Sequence, residues 1–509
     1  MKIKFIKLKN ITNIYIVIFL VLFSFSLIMF FKQYMFFYEG DVMGRLIFSE
    51  TLFTRNLKYN IEYYSFVSGI WLPFFHLMEN FILLFFSNPV EIIYEVILIL
   101  SIMTVIIFYF LIKKLFKKKI AIVSSILLIS FPIFLGFSLQ AMTEIPFLFF
   151  LFLSFYFFLD IKKNKNFIWF SISYFIASMT RHEAWIFIPL FIIFLPKKIS
   201  KLKKYIFVLI ILLYPTFLFL INFYYHQDLL RIPTVIQTAM IKIDNCVIDF
   251  SNTSQFLFLF YNSFPMMEFI FGIIGLLIFI KKNLNFDNKK YLFYPILFFY
   301  SLIIISFSST ACLLKAEIGF SERHLLIPMT LFIPFVAYLI IEIYSFLNKK
   351  IHNIQSSILT IFLIFLFVYF SLVLAIDFFK GDSDAKNVAN WLVGKVSKNE
   401  KIILDIQFDY IGRGQLFLIF AESRLLPRQI ILLGKWKERI LNTSDVLVEL
   451  GKYNGIIKYY TFNITNVKYV VHNKNSVHLN LSSYENLTIQ NITFFKLKKF
   501  GDFYIFMKP

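Results

Sequence analysis

The stretch "ASMTRHEAWIFIPLFIIFL", residues 177–195, decides the fold because it places three polar residues, Arg181, His182 and Glu183, in the middle of an apolar run. A charged side chain at the centre of a bilayer costs about 3 kcal/mol or more, so such residues are usually paired, face the protein interior and serve a function. The first question is therefore where these three residues lie relative to the membrane.

Two lysines flank this stretch, Lys165 before it and Lys197 after it. Lysines next to transmembrane helices stay in the cytoplasm, so both are expected on the same side of the membrane. The chain must then leave and return between them, and the segment is too short for two full crossings. We predict two short helices joined by a recessed turn at residues 180–183. A single long helix is rejected because it would put the two lysines on opposite sides.

The composition is that of a polytopic α-helical membrane protein. Of the 509 residues, 59% are hydrophobic and only 16% are charged. The formal net charge of +21 comes from lysine clusters between apolar runs, which is the pattern of topology signals rather than of one basic soluble face. We therefore expect the lipid bilayer as a partner, and no nucleic acid.

Besides the two short helices, nine apolar runs approach the roughly 20 residues that span a bilayer. They lie at about residues 11–31, 91–112, 120–138, 144–160, 205–223, 264–280, 291–310, 324–345 and 355–378. The sequence thus predicts about 11 transmembrane helices in the cell membrane, with a cytoplasmic N-terminus. The first run is longer than a signal-peptide core and has no small-residue cleavage site after it, so we expect it to be retained as an anchor.

The apolar runs end near residue 380, which predicts a transmembrane domain at residues 1–380 and an extracytoplasmic α/β domain at residues 381–509. In the second part, "DAKNVANWLVGKV" has apolar residues at helical spacing, while "KIILDI", "RQIILL", "VKYVV" and "DFYIFMK" are typical of strands. N-x-S/T acceptor sites agree with an extracytoplasmic position and begin at Asn442, Asn463, Asn480, Asn486 and Asn491.

With this topology, the acidic residues near the membrane gather at its outer edge. They are Glu39 and Asp41 after the first span, Glu144 at the start of the fourth, Glu183 in the recessed turn, and Glu322, which precedes Arg323 and His324. Carboxylates can deprotonate an acceptor hydroxyl, and cationic side chains can hold a phosphate leaving group. This combination indicates transfer of a sugar from a phosphate-linked lipid that lies in the membrane.

Four stretches resemble motifs of the GT-C superfamily of integral-membrane glycosyltransferases, in particular the branch of protein O-mannosyltransferases and the lipid A aminoarabinose transferase. They are "YEGDVMGRLIFSETL", "AMTEIPFLFFLFLSFYFFL", "ASMTRHEAWIFIPL" and "ERHLLIPMTLFIPF". No single stretch is specific, but their order and membrane side follow the family. The resemblance implies a polyprenyl- or dolichyl-phosphate sugar as donor, such as mannose or another hexose, and an inverting transfer.

The resemblance also implies roles for individual residues. Asp41 would be the first-loop general base, with Glu39 close by, and Glu144 would be the second-loop acid that positions the base or the acceptor. Arg323, and as a second candidate Arg181, would contact the donor phosphate. The remaining polar members of these motifs would position the substrate: Glu183, Glu322 and His182.

Two departures from the family pattern matter. The first motif has E-G-D where a contiguous acidic pair is common, so Glu39 and Asp41 can exchange roles. No WWD-type motif of the oligosaccharyltransferases occurs, which argues against transfer of a whole glycan and against a metal. His182 and His324 have no partner at a ligand interval, so we predict no metal site and no cofactor.

Structural alternatives stand beside these roles. Glu144 is also suited to stabilise the first turn of a helix, with Thr143 as its N-cap. The arginine–glutamate pairs of the motifs are also suited to join helices as ion pairs. Asp41 has the alternative of a solvated loop residue. His76, in "WLPFFHLMENFILLFF", is expected on an amphipathic helix along the outer surface, as a lipid-facing anchor.

The only two cysteines, Cys246 and Cys312, fall in predicted outer loops or at their margins. An oxidising exterior permits a disulfide, provided that the two Cα atoms lie within roughly 6 Å. Whether they form one stays open.

Two other functions share the lipid-linked sugar. A carrier or flippase would use similar apolar grooves, but it usually shows internal repeats and ionisable groups near the bilayer midplane, neither of which is found here. A polysaccharide ligase or polymerase would use a diphosphate-linked glycan. The leading prediction is the glycosyltransferase, with a glycan, protein or lipid acceptor at the outer face.

Overall fold

The computed structural model describes most of the chain up to residue 378 and parts of the remainder. The described residues are 2–32, 72–86, 89–139, 142–227, 264–283, 289–309, 322–351, 353–378, 383–393, 395–396, 400–405, 430–433, 467–473, 486–489, 492–500 and 503–507.

Helices dominate the described part before residue 380. They are α1 (Lys2–Lys32), α2 (Pro73–Phe85), α3 (Pro89–Leu115), α4 (Lys118–Ser130), α5 (Pro132–Leu139), α6 (Glu144–Phe158), α7 (Asn164–Thr180), a 3-10 helix (His182–Phe187), α8 (Ile188–Ile193), α9 (Lys201–His226), α10 (Met266–Asn283), α11 (Lys289–Ser309), α12 (Glu322–Lys350) and α13 (Asn353–Phe378).

The protein is a multi-pass membrane protein. Among the described residues, five helices are long and apolar enough to cross a bilayer, or six if a bent pair of helices is counted as one span. The five stretches are Thr12–Lys32, Ile92–Leu115, Lys201–Tyr224, Leu325–Lys350 and Asn353–Val373. Shorter apolar helices lie between them, so the count of about 11 transmembrane helices stays a prediction.

The predicted break after Thr180 is confirmed. Helix α7 ends there, and Arg181 is extended (φ −148°, ψ 145°) before the 3-10 helix begins. The chain then returns along α7, because the Trp185 indole donates to the Ser178 carbonyl (3.1 Å). Further along, the ring of Phe191 packs edge-on against that of Phe170 (5.1 Å). These contacts exclude one continuous helix through this stretch.

A second break was not predicted. The run at 120–138 was expected to form one span, but the structure divides it into α4 and α5, which are bent by 59°. The cause lies at Pro132, which has no N–H to donate and disfavours the helical conformation in the residue before it. Phe131 accordingly has φ −64° and ψ 124°.

The prediction for His76 was wrong. It lies on the predicted helix, α2, but its side chain is buried, together with Glu79 and Asn80. The exposed side chains of α2 are apolar ones, Leu77 and Phe81 among them. In a lipid environment this orientation is favourable, because apolar side chains meet the lipid and polar ones meet the protein.

Helices α10 and α12 approach each other closely through two glycines. A Cβ atom added at Gly272 would meet the Phe332 ring at 2.1 Å, and one added at Gly275 would meet the Phe335 carbonyl oxygen at 2.0 Å. Small residues at i and i+3 let two helices pack backbone to backbone where lipid gives no hydrophobic drive to associate. Gly272 lies next to Phe332 and Gly275 next to Phe335, so the residue numbers increase in the same direction along both helices, and the two helices run parallel.

After residue 380 the described residues form helix α14 (Ser383–Leu392) and one mixed sheet. Its strands are β1 (Lys401–Asp405), β2 (Ile430–Leu433), β3 (Val467–Asn473), β4 (Asn486–Ile489), β5 (Ile492–Phe500) and β6 (Phe503–Met507), in the order β2-β1-β3-β6-β5-β4. Strand β1 is parallel to β2 and β3, and the remaining pairs are antiparallel. Helix α14 packs on β5 and β6.

The predicted helix and the four predicted strands of this part are confirmed, whereas β4 and β5 were missed. The domain limits at 380 and 381, and the extracytoplasmic position, stay predictions.

Several predicted features lie outside the described residues. They are Glu39, Asp41, Cys246, Cys312, Asn442, Asn463, Asn480 and Asn491, together with the side chains of Glu322, Arg323, His324 and Asn486.

Candidate functional site

The recessed turn and the start of α6 meet in one ion-paired cluster. The Arg181 guanidinium donates through Nη1 to Oε1 of Glu144, and through Nη2 to Oε1 of Glu183 at 2.5 Å. Glu144 is 1% exposed, Arg181 12% and Glu183 17%. One cation thus joins two carboxylates that are far apart in sequence. We call these three residues the acid–arginine cluster.

Arg181 uses most of its donors within the cluster. Nε faces both carboxylate oxygens of Glu183 (3.2 and 3.1 Å), and Nη1 also lies 3.3 Å from the Thr143 hydroxyl. The planar fork of a guanidinium suits such paired contacts, which fix the direction of the carboxylate as well as binding it. Glu183 therefore orients Arg181, and Arg181 orients Glu144.

Local sequence explains why these groups meet. Arg181 follows the last residue of α7 in an extended conformation, so it ends the helix. Glu144 is the first residue of α6, and α6 packs along α7.

The predicted cap by Thr143 is not found, since its side chain makes no capping hydrogen bond. Its hydroxyl instead lies 3.4 Å from Oε2 of Glu144.

Aromatic side chains pack against the recessed turn. The His182 ring packs edge-on against Trp185 (4.8 Å), and the Tyr174 hydroxyl donates to the Ala184 carbonyl (3.2 Å). Trp185 in turn packs against Tyr214 of α9 (6.2 Å). These contacts fix the backbone on which Arg181 and Glu183 stand.

Of the predicted site residues, the structure brings together Glu144, Arg181 and Glu183, with His182 on the same turn. Sequence reasoning missed the contribution of Thr143, which was considered only as a helix cap. The sequence does not show that Thr143 lies next to Arg181, because that contact depends on the fold.

In the part of the chain that the structure describes, no three His, Cys, Asp or Glu side chains are grouped as a metal site would require. The first-loop acids lie outside that part, so the absence of a metal stays a prediction.

Fold and site together define a class of protein. It is a multi-pass membrane protein with a buried cluster of ion pairs between the end of one helix, α7, and the start of another, α6. Residues 72–223 match the family model described as dolichyl-phosphate-mannose-protein mannosyltransferase. The cluster lies within this segment. The resemblance to GT-C glycosyltransferases that the motifs predict is thus confirmed for this part of the chain.

Two solved structures are similar over most of the chain. One is the oligosaccharyltransferase of Archaeoglobus fulgidus tethered to an acceptor peptide with the NVT sequon (10% identity, TM-score 0.48, 90% of this chain, 69% of that chain). The other is the archaeal oligosaccharyltransferase AglB of A. fulgidus with an inhibitory peptide and a dolichol-phosphate (10% identity, TM-score 0.49, 91% of this chain, 70% of that chain). Similarity of this degree carries no argument about function. Comparison with curated proteins gives no match.

Proposed function

We propose that this protein is a glycosyltransferase that moves a sugar from a polyprenyl- or dolichyl-phosphate carrier to an acceptor at the outer face of the membrane. The observation that carries the proposal is the acid–arginine cluster, which lies inside the segment that matches the mannosyltransferase family model. The sugar is mannose or another hexose, and the acceptor is a glycan, a protein or a lipid.

The chemistry is a single displacement at the anomeric carbon. The acceptor oxygen bonds to that carbon, the bond from the carbon to the phosphate oxygen breaks, and its electron pair leaves with the carrier phosphate. The acceptor proton passes to a carboxylate that acts as general base. Attack from the face opposite the leaving group inverts the anomeric configuration. Asp41 is the proposed base, with Glu39 as the residue that can replace it.

Within this scheme Glu144 positions the base or the acceptor hydroxyl. A carboxylate that is 1% exposed and held by a guanidinium points in one direction, which suits a positioning role. Arg181 supplies this hold, and Glu183 keeps Arg181 in place. Because Arg181 already binds both carboxylates, it is proposed only as a secondary contact for the donor phosphate.

The donor phosphate is assigned mainly to Arg323, which follows the first residue of α12. A fixed guanidinium at the phosphate stabilises the charge that develops as the bond to the sugar breaks. Glu322 and His182 are assigned to positioning the substrate. We propose no metal, in line with the missing WWD-type motif, and we expect transfer to persist when EDTA is added.

The proposed topology has about 11 crossings, a cytoplasmic N-terminus and an external part from residue 381 onward. Support comes from the return of the chain after Thr180, which brings Lys165 and Lys197 to the same end of the helix pair, as this topology needs. The outer sheet would then stand over the side of the membrane where the cluster lies.

The test is sugar transfer by the purified protein in liposomes. Donors are dolichyl- and undecaprenyl-phosphate that carry radiolabelled mannose or glucose, and a membrane extract of the source cells supplies acceptors. Wild type is compared with Asp41→Asn and Glu39→Gln. We expect Asp41→Asn to abolish transfer in a folded protein. Equal transfer by Asp41→Asn would move the role of base to Glu39. Absence of transfer by wild type, with donor nonetheless crossing the bilayer, would replace the proposal by a carrier.

A further inference from the structure

Helix α2 carries a buried polar face that the proposed chemistry does not use. His76, Glu79 and Asn80 stand at positions i, i+3 and i+4, so they share one side of the helix. They are 2%, 0% and 4% exposed. His76 Nδ1 lies 3.5 Å from Oε2 of Glu79, within ion-pair range. We call these three residues the polar face of α2.

This face is not arranged for stability alone. The Oδ1 atom of Asn80 has no hydrogen-bond partner among the described residues. Burying ionisable groups costs solvation that apolar side chains of the same size would not lose, and an unpaired buried amide oxygen adds to that cost. A helix that only had to cover its neighbours would do so better with leucines at these positions.

The rest of α2 is apolar on all sides, as its sequence "PFFHLMENFILLF" shows. Between lipid and an apolar protein surface, hydrophobicity does not select which side of such a helix faces inward, because lipid tails are as apolar as the protein. The polar residues do select it, since they avoid lipid. The polar face therefore fixes the rotation of α2 about its axis, against α3 and α7.

The start of α2 touches both elements that carry the acid–arginine cluster. Leu72, just before the helix, belongs to a buried cluster with Tyr214 and Leu218 of α9, and Met179 and Trp185 beside the recessed turn pack against this cluster. Phe74 packs edge-on against Phe150 of α6 at 5.4 Å between ring centroids. Phe150 stands six residues after the start of α6, about 9 Å along its axis. A rotation of α2 would therefore change contacts on both sides of the cluster.

From this juxtaposition we propose that the polar face of α2 positions the recessed turn, and through it Glu144, for sugar transfer. His76, Glu79 and Asn80 are positioning residues, which act through Leu72 and Phe74 and do not touch the substrate. The inference rests on the proposed function. It adds a determinant of activity that is separate from the residues of the ion-paired cluster.

The first experiment compares three variants in the liposome assay, with kcat, donor KM and thermal stability measured for each. The double variant His76→Leu/Glu79→Leu removes both ionisable groups of the polar face and leaves Asn80 as its one polar side chain. We expect it to be at least as stable as wild type, with kcat lowered at least tenfold and donor KM within twofold. Glu79→Gln keeps the face polar and should retain at least half of kcat. Leu77→Ala, on the exposed side, should match wild type.

A double variant with wild-type kcat would overturn the proposal, because the pair would then be structural only. The proposal would also be overturned if Glu79→Gln lost as much kcat as the double variant, because the carboxylate itself would then be required.

A cross-linking measurement covers the case in which the double variant does not fold. Leu72→Cys and Met179→Cys are combined after Cys246 and Cys312 have been replaced by serine. We expect oxidative cross-linking to fall at least threefold when Glu79→Leu is added, and an unchanged yield would overturn the proposal. Cross-linking does not depend on catalysis, so absence of transfer by wild type would refute the proposed function and leave this test intact.

Discussion

At the scale of single residues, the candidate site depends on how Arg181 is shared. Glu183 takes the edge formed by Nε and Nη2, and Glu144 takes Nη1. A guanidinium can serve two carboxylates in fixed directions, whereas an ammonium group is a point charge without such a fork. The identity of this residue should therefore matter beyond its charge.

Arg181→Lys is expected to lower sugar transfer by at least about tenfold, because Glu144 loses its fixed direction while the net charge stays the same. The rate is measured in liposomes at saturating donor. Lys114→Arg is the matched control, since Lys114 pairs with Asp160 (2.9 Å) at the opposite end of α6. Wild-type transfer by Arg181→Lys would show that charge alone suffices there.

Arg181→Met should destabilise the fold, because it leaves Glu144 and Glu183 in the protein interior without their cation. Loss of one partner of a buried ion pair costs about 3–5 kcal/mol. We expect a clear drop in the unfolding temperature in detergent, partly restored when Glu144→Gln is added. Equal unfolding temperatures for wild type and Arg181→Met would mean that both carboxylates are solvated.

At the scale of elements, the contact between α10 and α12 sets how the second half of the helical part packs. It depends on Gly275, whose Cα faces the Phe335 carbonyl oxygen. That oxygen belongs to the backbone of a helix and cannot move aside like a side chain.

Gly275→Ala is therefore expected to separate the two helices and to lower stability by about 1–3 kcal/mol. Thermal unfolding in detergent measures the effect. Leu277→Ala, on the exposed side of α10, serves as the control and should change the unfolding temperature much less. If both variants unfold at the wild-type temperature, the helices do not pack as closely as the structure indicates.

Sequence patterns predicted some elements and missed others for physical reasons. The break at Arg181 was predictable because charged residues and flanking lysines both bear on topology. The bend at Pro132 was missed because the run of apolar residues continues through it. A hydropathy pattern does not show that proline has no backbone N–H to donate. The inward side of α2 was missed because its polar side was expected to face outward from the protein, whereas the structure turns that side toward the protein interior.

The same holds for the C-terminal sheet and the site. Strand β5 contains Lys496, Lys498 and Lys499, which weaken the apolar alternation that reveals a strand. Glu144 and Arg181 were predictable as candidates, because each breaks an apolar environment. Their mutual contact was not, because it depends on how α6 packs along α7, and nothing local to either residue encodes that.

At the scale of the whole molecule, the topology has a direct test with single cysteines, after both native cysteines are replaced by serine. Cysteines at Lys163 and Lys198, on either side of the recessed turn, should both resist a membrane-impermeant maleimide in intact cells. A cysteine at Lys496, an exposed position of β5, should react. Reaction of the cysteine at Lys198, without reaction of the one at Lys163, would place the two lysine clusters on opposite sides and contradict the return of the chain.

The most direct test of the proposed transfer chemistry is a comparison of two carboxylates at opposite ends of α6. Transfer of radiolabelled sugar from dolichyl- and undecaprenyl-phosphate is measured for wild type, Glu144→Gln and Asp160→Asn in liposomes. We predict that Glu144→Gln loses about 100-fold or more in rate, while Asp160→Asn stays within about twofold of wild type. Wild-type transfer by Glu144→Gln would contradict the proposed role of the acid–arginine cluster, because the cluster would then be only a structural joint between helices.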